Sequence, residues 1–450
     1  MKWTMSINIV RILVYSVLAI CMAVLLTFLV NPLLFAPLFH ETSTALSRVA
    51  PPKPVDGILA IDLDGDGLVL TELKPDTRTF FDLDNDGFAE QTAWVSAGDG
   101  ILVIDHDGDG HIGDASELFG DTAQNGFEEL AALDSNNDGA IDEQDQQWDQ
   151  LRIWKDDNQD AHAQSKEIYP LSEWQIISIS LKAEPSESII AGNAVRWTAQ
   201  VTLLNGSKRE IAAISLKMNQ VNTSYIGDYT LDPQALFLPT LRGFGTLKNL
   251  HVAISQDGDL LGMLRELAMR TDLSAFGDVD NFDSAIEAIL FRWAGVQELD
   301  PASRGPHIDA RKLAFLEKFT GRKWMHQSGA SNPSELSAAK LMESWEAAFE
   351  NKRAHLLFQM CGHQLFENTT YDPWKGDLAG TFALSRSGID GLVPYAKSAR
   401  PGQENYWHEV ARFLKYTRKL GNLSPEETAW LAEAVAASAS PSSWQQISGQ

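Results

Sequence analysis

The stretch Ile58-Leu-Ala-Ile-Asp-Leu-Asp-Gly-Asp-Gly67 decides the fold, because it joins a short apolar run to an acidic loop of fixed spacing. Aspartates occupy alternate positions of that loop, and a glycine closes it. Oxygen ligands at the first, third and fifth positions converge on one point, which is the arrangement that a hard cation such as calcium needs. The stretch therefore predicts a cation-binding loop at the end of a buried strand.

The pattern recurs four more times before residue 162, as Asp82-Leu-Asp-Asn-Asp-Gly87, Asp105-His-Asp-Gly-Asp-Gly110, Asp134-Ser-Asn-Asn-Asp-Gly139 and Asp156-Asp-Asn-Gln-Asp-Ala161. One such hexapeptide can be a capped turn that binds no ion. Five of them in one segment indicate a calcium-binding module.

The charge distribution agrees with this interpretation. Residues 56–160 hold 22 Asp and 6 Glu against 4 Lys and Arg, a net charge of −24 in a chain whose total is −25. Such a density of carboxylates repels itself unless cations neutralise it, and it argues against a nucleic-acid partner. A disordered acidic tract is the alternative, but apolar runs such as Ile101-Leu-Val-Ile104 are atypical of disorder.

The fourth and fifth loops carry a ligand at each position of an EF-hand. In the fourth, an entering helix at residues 126–133 and a leaving helix from Glu143 to Trp154 are expected. The fifth has Ala161 where the turn favours glycine, at a cost of about 1–2 kcal/mol, so we expect weaker binding there. The predicted ligands are Asp134, Asn136, Asp138, the Ala140 carbonyl, Asp142 and Asp145 in the fourth loop, and Asp156, Asn158, Asp160, the His162 carbonyl, Gln164 and Glu167 in the fifth.

The first three loops lack a carboxylate at the twelfth position, and each follows an apolar run, so we expect strand–loop–strand units. The candidates to close these sites are Glu72, Glu90, Asp99 and Glu117, or ligands from neighbouring loops. For each loop, an aspartate-rich turn without an ion is the alternative. The predicted ligands are Asp62, Asp64 and Asp66, then Asp82, Asp84 and Asp86, then Asp105, Asp107, Asp109 and Glu117.

The acidic segment resembles the haemolysin-associated, RTX-related calcium-binding proteins of bacteria, and is similar to the self-processing module of the iron-regulated Frp-type proteins. The motifs that carry the likeness are the first loop, Asp99-Gly-Ile-Leu-Val103, Ser116-Glu-Leu-Phe-Gly-Asp121, the fourth loop, and Leu151-Arg-Ile-Trp-Lys-Asp156. The resemblance covers residues 58 to about 230 and continues weakly into the helical part. It implies that calcium orders the module.

Two departures limit this resemblance. Self-processing relatives cut an Asp-Pro bond just before the first loop, where this chain reads Val55-Asp-Gly-Ile58. The glycine-rich nonapeptide repeats that form calcium β-rolls are absent from the sequence.

An uncharged stretch of 19 residues, ILVYSVLAICMAVLLTFLV, occupies positions 12–30. A helix of this length spans about 28 Å, close to the hydrocarbon thickness of a bilayer. It is longer than the roughly 7–15 apolar residues of a cleavable signal. We therefore expect a single-pass inner-membrane protein with its bulk in the periplasm; a secreted or cell-surface protein is the alternative.

The remaining pattern predicts a β-hairpin joined through Asn205-Gly206, followed by helices from about residue 240 onward. We expect an α+β fold with these parts: an N-terminal transmembrane helix (1–39), a linker (40–56), an acidic EF-hand-like calcium-loop module with short strands, helices and a β-hairpin extension (57–232), and an all-α C-terminal domain (233–450).

No catalytic constellation stands out in the sequence. Cys361 lies two residues from His363, but neither a CxxC nor an HExxH motif accompanies the pair, so a zinc or thiol site is disfavoured. The expected function is calcium-dependent folding of a membrane-anchored envelope protein that presents its helical domain to an unknown protein or cell-surface partner. Calcium-activated self-processing of an RTX-type exported protein is the alternative.

Overall fold

The computed structural model describes residues 57–438 except for residues 107, 109, 121–124, 278, 327, 399–405 and 419–422. Its strands are β1 Ile58–Ile61, β2 Phe80–Phe81, β3 Phe88–Thr92, β4 Gly100–Ile104, β5 Ala140–Asp142, β6 Leu151–Trp154, β7 Ile168–Pro170, β8 Ile176–Ser180, β9 Glu184–Pro185, β10 Ile189–Ile190, β11 Asn193–Leu203, β12 Lys208–Ser215, β13 Met218–Tyr225, β14 Phe366–Asp372 and β15 Asp377–Leu384.

An antiparallel sheet that curls into a half-barrel organises the N-terminal half. Its strand order is β5-β8-β11-β12-β1-β4-β6-β7, and β9 and β10 pair with β11. The hairpin expected around Asn205-Gly206 is present as β11 and β12. A second sheet, ordered β13-β3-β2, lies beside it.

The central strands are apolar at consecutive positions because both faces of the half-barrel are covered. Ile58 and Ala60 point to a first face, where Phe81, Trp94 and Trp154 pack with ring centroids 5.3–5.6 Å apart. The alternate residues of β1 point to a second face, which is covered by the short helix α1 (Gly126–Ala131) and by residues around β5 and β8. This double burial holds the strand ends rigidly in place.

The C-terminal half has one core built mostly by helices. Buried ion pairs tie three of them together, since Arg353 bonds Asp283 and Glu409, and Arg412 bonds Asp283 and Glu350. The helices are α2 Leu250–Gln256, α3 Gly258–Ala268, α4 Val279–Trp293, α5 Ala310–Thr320, α6 Glu335–Met360, α7 Arg386–Lys397, α8 Tyr406–Arg418 and α9 Pro425–Ala437.

The predicted fold class is wrong in its main elements. The molecule is a mixed α/β fold built on the antiparallel half-barrel, not a chain of EF-hand-like units followed by an all-α domain. The C-terminal half contains the hairpin of β14 and β15, which packs against the helices through Phe366, Leu378 and Leu384.

The leaving helix predicted for residues 143–154 is also wrong. A 3-10 turn at Trp148–Gln150 leads instead into β6, which pairs with β4 on one side and β7 on the other. Leu151 and Ile153 bury on the second face of the half-barrel and Trp154 on the first. Pairing with two strands outweighs the local preference for a helix.

The predicted location, a single-pass inner-membrane protein, is wrong as well. Among the helices of the described residues, none combines the length and the apolarity needed to cross a bilayer. The stretch at residues 12–30, on which that prediction depended, lies outside the described residues.

The close approach of Gly120 to Gly57, the residue before β1, gives a test of the fold. Gly120 has φ +104°, and a Cβ there would lie 2.3 Å from the Gly57 carbonyl oxygen. Gly206 has φ +83° in the hairpin turn, where a Cβ would meet nothing within 4 Å. We expect Gly206→Ala to cost about 1–2 kcal/mol from backbone strain alone, and Gly120→Ala to cost about 3 kcal/mol or more because overpacking adds to the strain.

Urea unfolding followed by circular dichroism measures both variants. Equal losses of unfolding free energy in Gly120→Ala and Gly206→Ala would contradict the close packing of Gly120 against Gly57.

Candidate metal centres

The five acidic loops share one backbone conformation. The fourth and the sixth residue of every loop have positive φ, between 56° and 96°. These residues are Gly65 and Gly67, Asn85 and Gly87, Gly108 and Gly110, Asn137 and Gly139, and Gln159 and Ala161. In the first and second loops, this left-handed pair accompanies side chains at positions one, three and five that lie on the same side of the loop.

The first aspartate of each loop holds the turn closed. In four loops its carboxylate accepts the N–H of the sixth residue, at 2.8–3.0 Å. In the first loop, Asp62 instead accepts the Gly65 N–H at 2.6 Å. Hydrogen bonds from the loop's own backbone therefore fix the geometry of each loop.

In two of the loops the carboxylates converge as predicted. One oxygen each from Asp62, Asp64 and Asp66 lie within 4.8 Å of one another, and so do oxygens from Asp82, Asp84 and Asp86. In the third loop, Asp105 accepts the Gly108 N–H at 2.7 Å. Its predicted partners Asp107 and Asp109 lie outside the described residues.

Asp99 closes the first loop. Residue Gly100 pairs with Ile61 across β4 and β1, so the residue before β4 lies beside the residue after β1. Asp99 is 1% exposed, and its Oδ2 accepts the Val69 N–H at 2.8 Å. Its Oδ1 is buried without a hydrogen-bond partner among the described residues. Burial, together with the nearby charge of Asp62, raises the pKa of Asp99 to about 6.

Glu90 is the buried acid beside the second loop. It lies opposite Phe81 across β3 and β2, next to Asp82, and accepts the Leu83 N–H at 3.1 Å. Burial, followed by the negative charge of Asp84, raises the pKa of Glu90 to about 9. A buried carboxylate among like charges is costly unless a cation compensates it.

In the third loop the closing carboxylate is Glu117, which is buried and accepts the Gly113 N–H at 2.8 Å. Leu118 bridges Val103 in antiparallel fashion, which places Glu117 beside the end of β4. The remaining candidate, Glu72, has a side chain that is 61% exposed and pairs with Lys74, away from the loops' carboxylates.

The predicted ligands at the start and at the end of the fourth loop bond groups within the loop. Asn136 and Asp138 bond each other at 2.9 Å, and Asp138 accepts the N–H of Ala140 at 3.0 Å. The closing residue Asp145 accepts the N–H groups of Ser135 and Asp142. Asp142, the predicted ninth-position ligand, accepts the Gln144 N–H at 2.9 Å.

In the fifth loop, hydrogen bonds connect four of the six predicted ligands. Asn158 donates to Asp160 at 2.9 Å and to Gln164 at 3.2 Å, and Gln164 donates to the His162 carbonyl at 2.6 Å. Glu167 is fully buried; one oxygen accepts the Gln164 N–H at 3.3 Å, and Oε1 meets no partner among the described residues. Its pKa is raised by burial and then by the charges of Asp156 and Asp160.

Ala161 is not simply a flaw in the fifth loop. It takes the left-handed conformation with φ 56°, as expected for this position. Its side chain is 2% exposed and belongs to the first-face core with Phe81 and Trp154. The buried methyl, worth about 0.8 kcal/mol, offsets part of the backbone strain.

The Cys361 and His363 pair shows no metal-site geometry. Cys361 is fully buried, and burial raises the pKa of its thiol to about 12. His363 Nδ1 lies 3.2 Å from the Phe358 carbonyl oxygen. A neutral buried thiol is neither a nucleophile nor a good metal ligand.

Comparison with known proteins supports part of the resemblance. The SPM domain model matches residues 59–217. The iron-regulated protein FrpA of Neisseria meningitidis serogroup C is 26% identical over 407 residues, which cover 80% of this chain and 36% of FrpA. The chain thus spans about a third of that relative's length. The likeness to Frp-type proteins is confirmed, whereas calcium binding stays a prediction.

Exchanging two glutamates for glutamine tests whether the buried carboxylates need a cation. In chelator, Glu167→Gln removes an uncompensated buried charge and should raise the unfolding free energy by about 1 kcal/mol. In calcium it removes a ligand and should lower that free energy by a similar amount or more. Glu72→Gln is the matched exposed control and should change little in either buffer.

Thermal unfolding in both buffers measures the effect. A Glu167→Gln change of the same sign with and without calcium would contradict a ligand role for Glu167.

Proposed function

We propose that this chain is an exported bacterial calcium-binding protein whose half-barrel module, residues 57–225, reaches its stable fold with calcium in the acidic loops. In this proposal the helical C-terminal half is the part presented to a protein or cell-surface partner. The similarity to FrpA supports the bacterial and exported character.

The closing carboxylates are the observation that carries the proposal. Each of the five loops has a buried acid at its mouth: Asp99, Glu90, Glu117, Asp145 and Glu167. Asp99 and Glu167 each bury an oxygen with no hydrogen-bond partner among the described residues. A bound cation would satisfy those oxygens and neutralise the aspartates around them.

The donor set fits calcium better than other common metals. Carboxylate, amide and carbonyl oxygens surround the loops, and zinc prefers nitrogen and sulfur. Magnesium keeps several waters and seldom uses a site built wholly from protein, whereas calcium accepts six to eight oxygens in flexible geometry. The residues that would hold calcium are the ligands predicted from the sequence, together with Asp99 and Glu90 from the four closing candidates.

Self-processing is the second candidate function, because the SPM domain model matches the same region. In the mechanism that the resemblance implies, an aspartyl carboxylate attacks its own carbonyl carbon. The bond to the next nitrogen breaks, and that nitrogen leaves with a proton. Asp56, which would be the attacking residue, lies outside the described residues. Gly57 has φ +109° and donates its N–H to the Ile214 carbonyl, which a proline could not do.

At the three Asp-Pro bonds elsewhere in the chain, the aspartate side chain bonds the backbone of a turn. Asp232, Asp300 and Asp372 each accept an N–H from the second residue after the aspartate, at 2.8–3.0 Å. These bonds direct each side chain forward into a turn.

Calcium should stabilise the module strongly. A ligand at a thousand times its dissociation constant adds about 4 kcal/mol per site to the unfolding free energy. Melting the purified protein in chelator, in 2 mM magnesium (about physiological) and in the same concentration of calcium should give the highest midpoint in calcium. Identical curves in chelator and calcium would exclude calcium-dependent folding.

Calcium should fold the chain without cutting it. The secondary amide of Gly57 is a poorer leaving group than a proline nitrogen, so the intact mass after incubation in calcium should be unchanged. We expect Gly57→Pro to disrupt the β1 pairing, at a cost of about 3 kcal/mol, and not to install cleavage. Mass spectrometry distinguishes the outcomes. Fragments that start at Gly57 or Ile58 would favour self-processing at the family's position. Fragments that start at Pro233, Pro301 or Pro373 would instead show cleavage at another Asp-Pro bond.

A further inference from the structure

A bulge in β13 is where the module meets the helical half. The pairing of β13 with β3 shifts between Asn219 and Thr223, so that residues 220–222 leave the ladder. The bulge and the residue after it bond the C-terminal half through Arg322 to Gln220, the Gly245 N–H to the Val221 carbonyl, Arg242 to Asn222, and Thr223 to the Gly245 carbonyl. The SPM match ends at residue 217, just before this strand.

The second acidic loop lies at the other side of the same strand. Phe88, the residue after the loop, pairs with Tyr225 at the end of β13, and the Gly87 carbonyl accepts the Ile226 N–H at 3.1 Å. The Tyr225 ring lies 5.3 Å from Phe88 and 4.2 Å from Nζ of Lys248 in the helical half. The position of the loop's last residues therefore sets the position of β13.

The end of α5 lies at the same boundary. The Lys318 carbonyl accepts the Thr246 N–H at 2.8 Å, next to Gly245, whose N–H and carbonyl bond β13. In the second loop, oxygens of Asp82, Asp84 and Asp86 lie within 4.8 Å of one another, and Glu90 follows in β3, which pairs with β13.

We propose that the second loop is the site through which bound calcium strengthens the docking of the helical half onto the module. This role rests on the calcium binding proposed above and adds to it. Without a cation, repulsion among the aspartates of the loop loosens residues 84–88 and the end of β13 that pairs with them. With a cation, the loop closes, β3 and β13 align, and the bulge presents its bonding groups to Arg242, Gly245 and Arg322.

The fourth loop supplies a matched control. It leads into β5, the last strand at one edge of the half-barrel, and its core contacts lie on the second face. Asp86 and Asp138 are both fifth-position aspartates, and each accepts the N–H two residues onward at 3.0 Å. Asp86→Asn and Asp138→Asn therefore remove the same charge from equivalent positions, one beside the helical half and one at the sheet edge.

Hydrogen exchange of the full chain, with mass-spectrometric readout in chelator and in calcium, tests the proposal. In the native protein, calcium should slow exchange about tenfold in residues 240–256 and 310–322, a size typical of coupling between sites. Asp86→Asn should lose most of that protection, and Asp138→Asn should retain it. Because coupling is reciprocal, Thr223→Val, which removes the bond to Gly245, should weaken calcium protection of residues 82–92 by a similar factor.

The outcomes distinguish this proposal from the proposal of calcium binding on which it rests. Calcium protection of the loops without protection of residues 240–256 would overturn the coupling and leave calcium binding intact. No calcium protection in any loop would overturn both. Equal losses in Asp86→Asn and Asp138→Asn would overturn the assignment to the second loop. If Asp86→Asn unfolds the sheet, seen as full exchange in residues 58–61, Thr223→Val decides, because it replaces no residue of an acidic loop.

Discussion

The hydrogen bonds from each loop's backbone to its first aspartate are the constraint on which the rest of the structure depends. They close a turn with two left-handed residues and hold the next carboxylates on one side of it. The turn's own N–H groups thus confine charges that would otherwise separate. Because four of the five loops follow the buried strands β1, β2, β4 and β6, moving those strands to relieve the repulsion would expose apolar side chains. Neutralisation from outside is the remaining way to lower the energy.

Local features of the site could be predicted from the sequence, whereas its closure could only be narrowed to candidates. The aspartate spacing, the turn residue and the preceding apolar run are properties of neighbouring residues, so the loops and the Asn205-Gly206 hairpin follow from short-range chemistry. Asp99 lies beside Asp62 because β4 runs antiparallel to β1. That pairing is a property of the whole sheet, so the sequence offers Asp99 only as one of four candidates, with no fixed spacing that selects it. Glu90, also a candidate, lies in the strand just after its own loop.

The failed predictions share a physical cause. Residues 143–154 were assigned to a helix by analogy with the EF-hand, but Leu151, Ile153 and Trp154 each have a place on a face of the half-barrel. Burial on both faces and pairing with two neighbours outweigh a motif's usual continuation. Ala161 illustrates the same competition on a smaller scale, because a core contact retains a methyl group where the loop alone would favour glycine.

The distribution of the loops explains how one module can serve two purposes. Loops at the ends of β1, β4 and β6 stabilise the half-barrel itself, because their closing acids lie on the neighbouring strands or turns. The second loop lies in the small sheet, whose outer strand β13 bonds the helical half. A cation bound there would act on the boundary that β13 forms with the helical half. In the proposed function, several sites would supply folding energy while the second would report occupancy to the C-terminal half, and this division follows from the place of each loop in the two sheets.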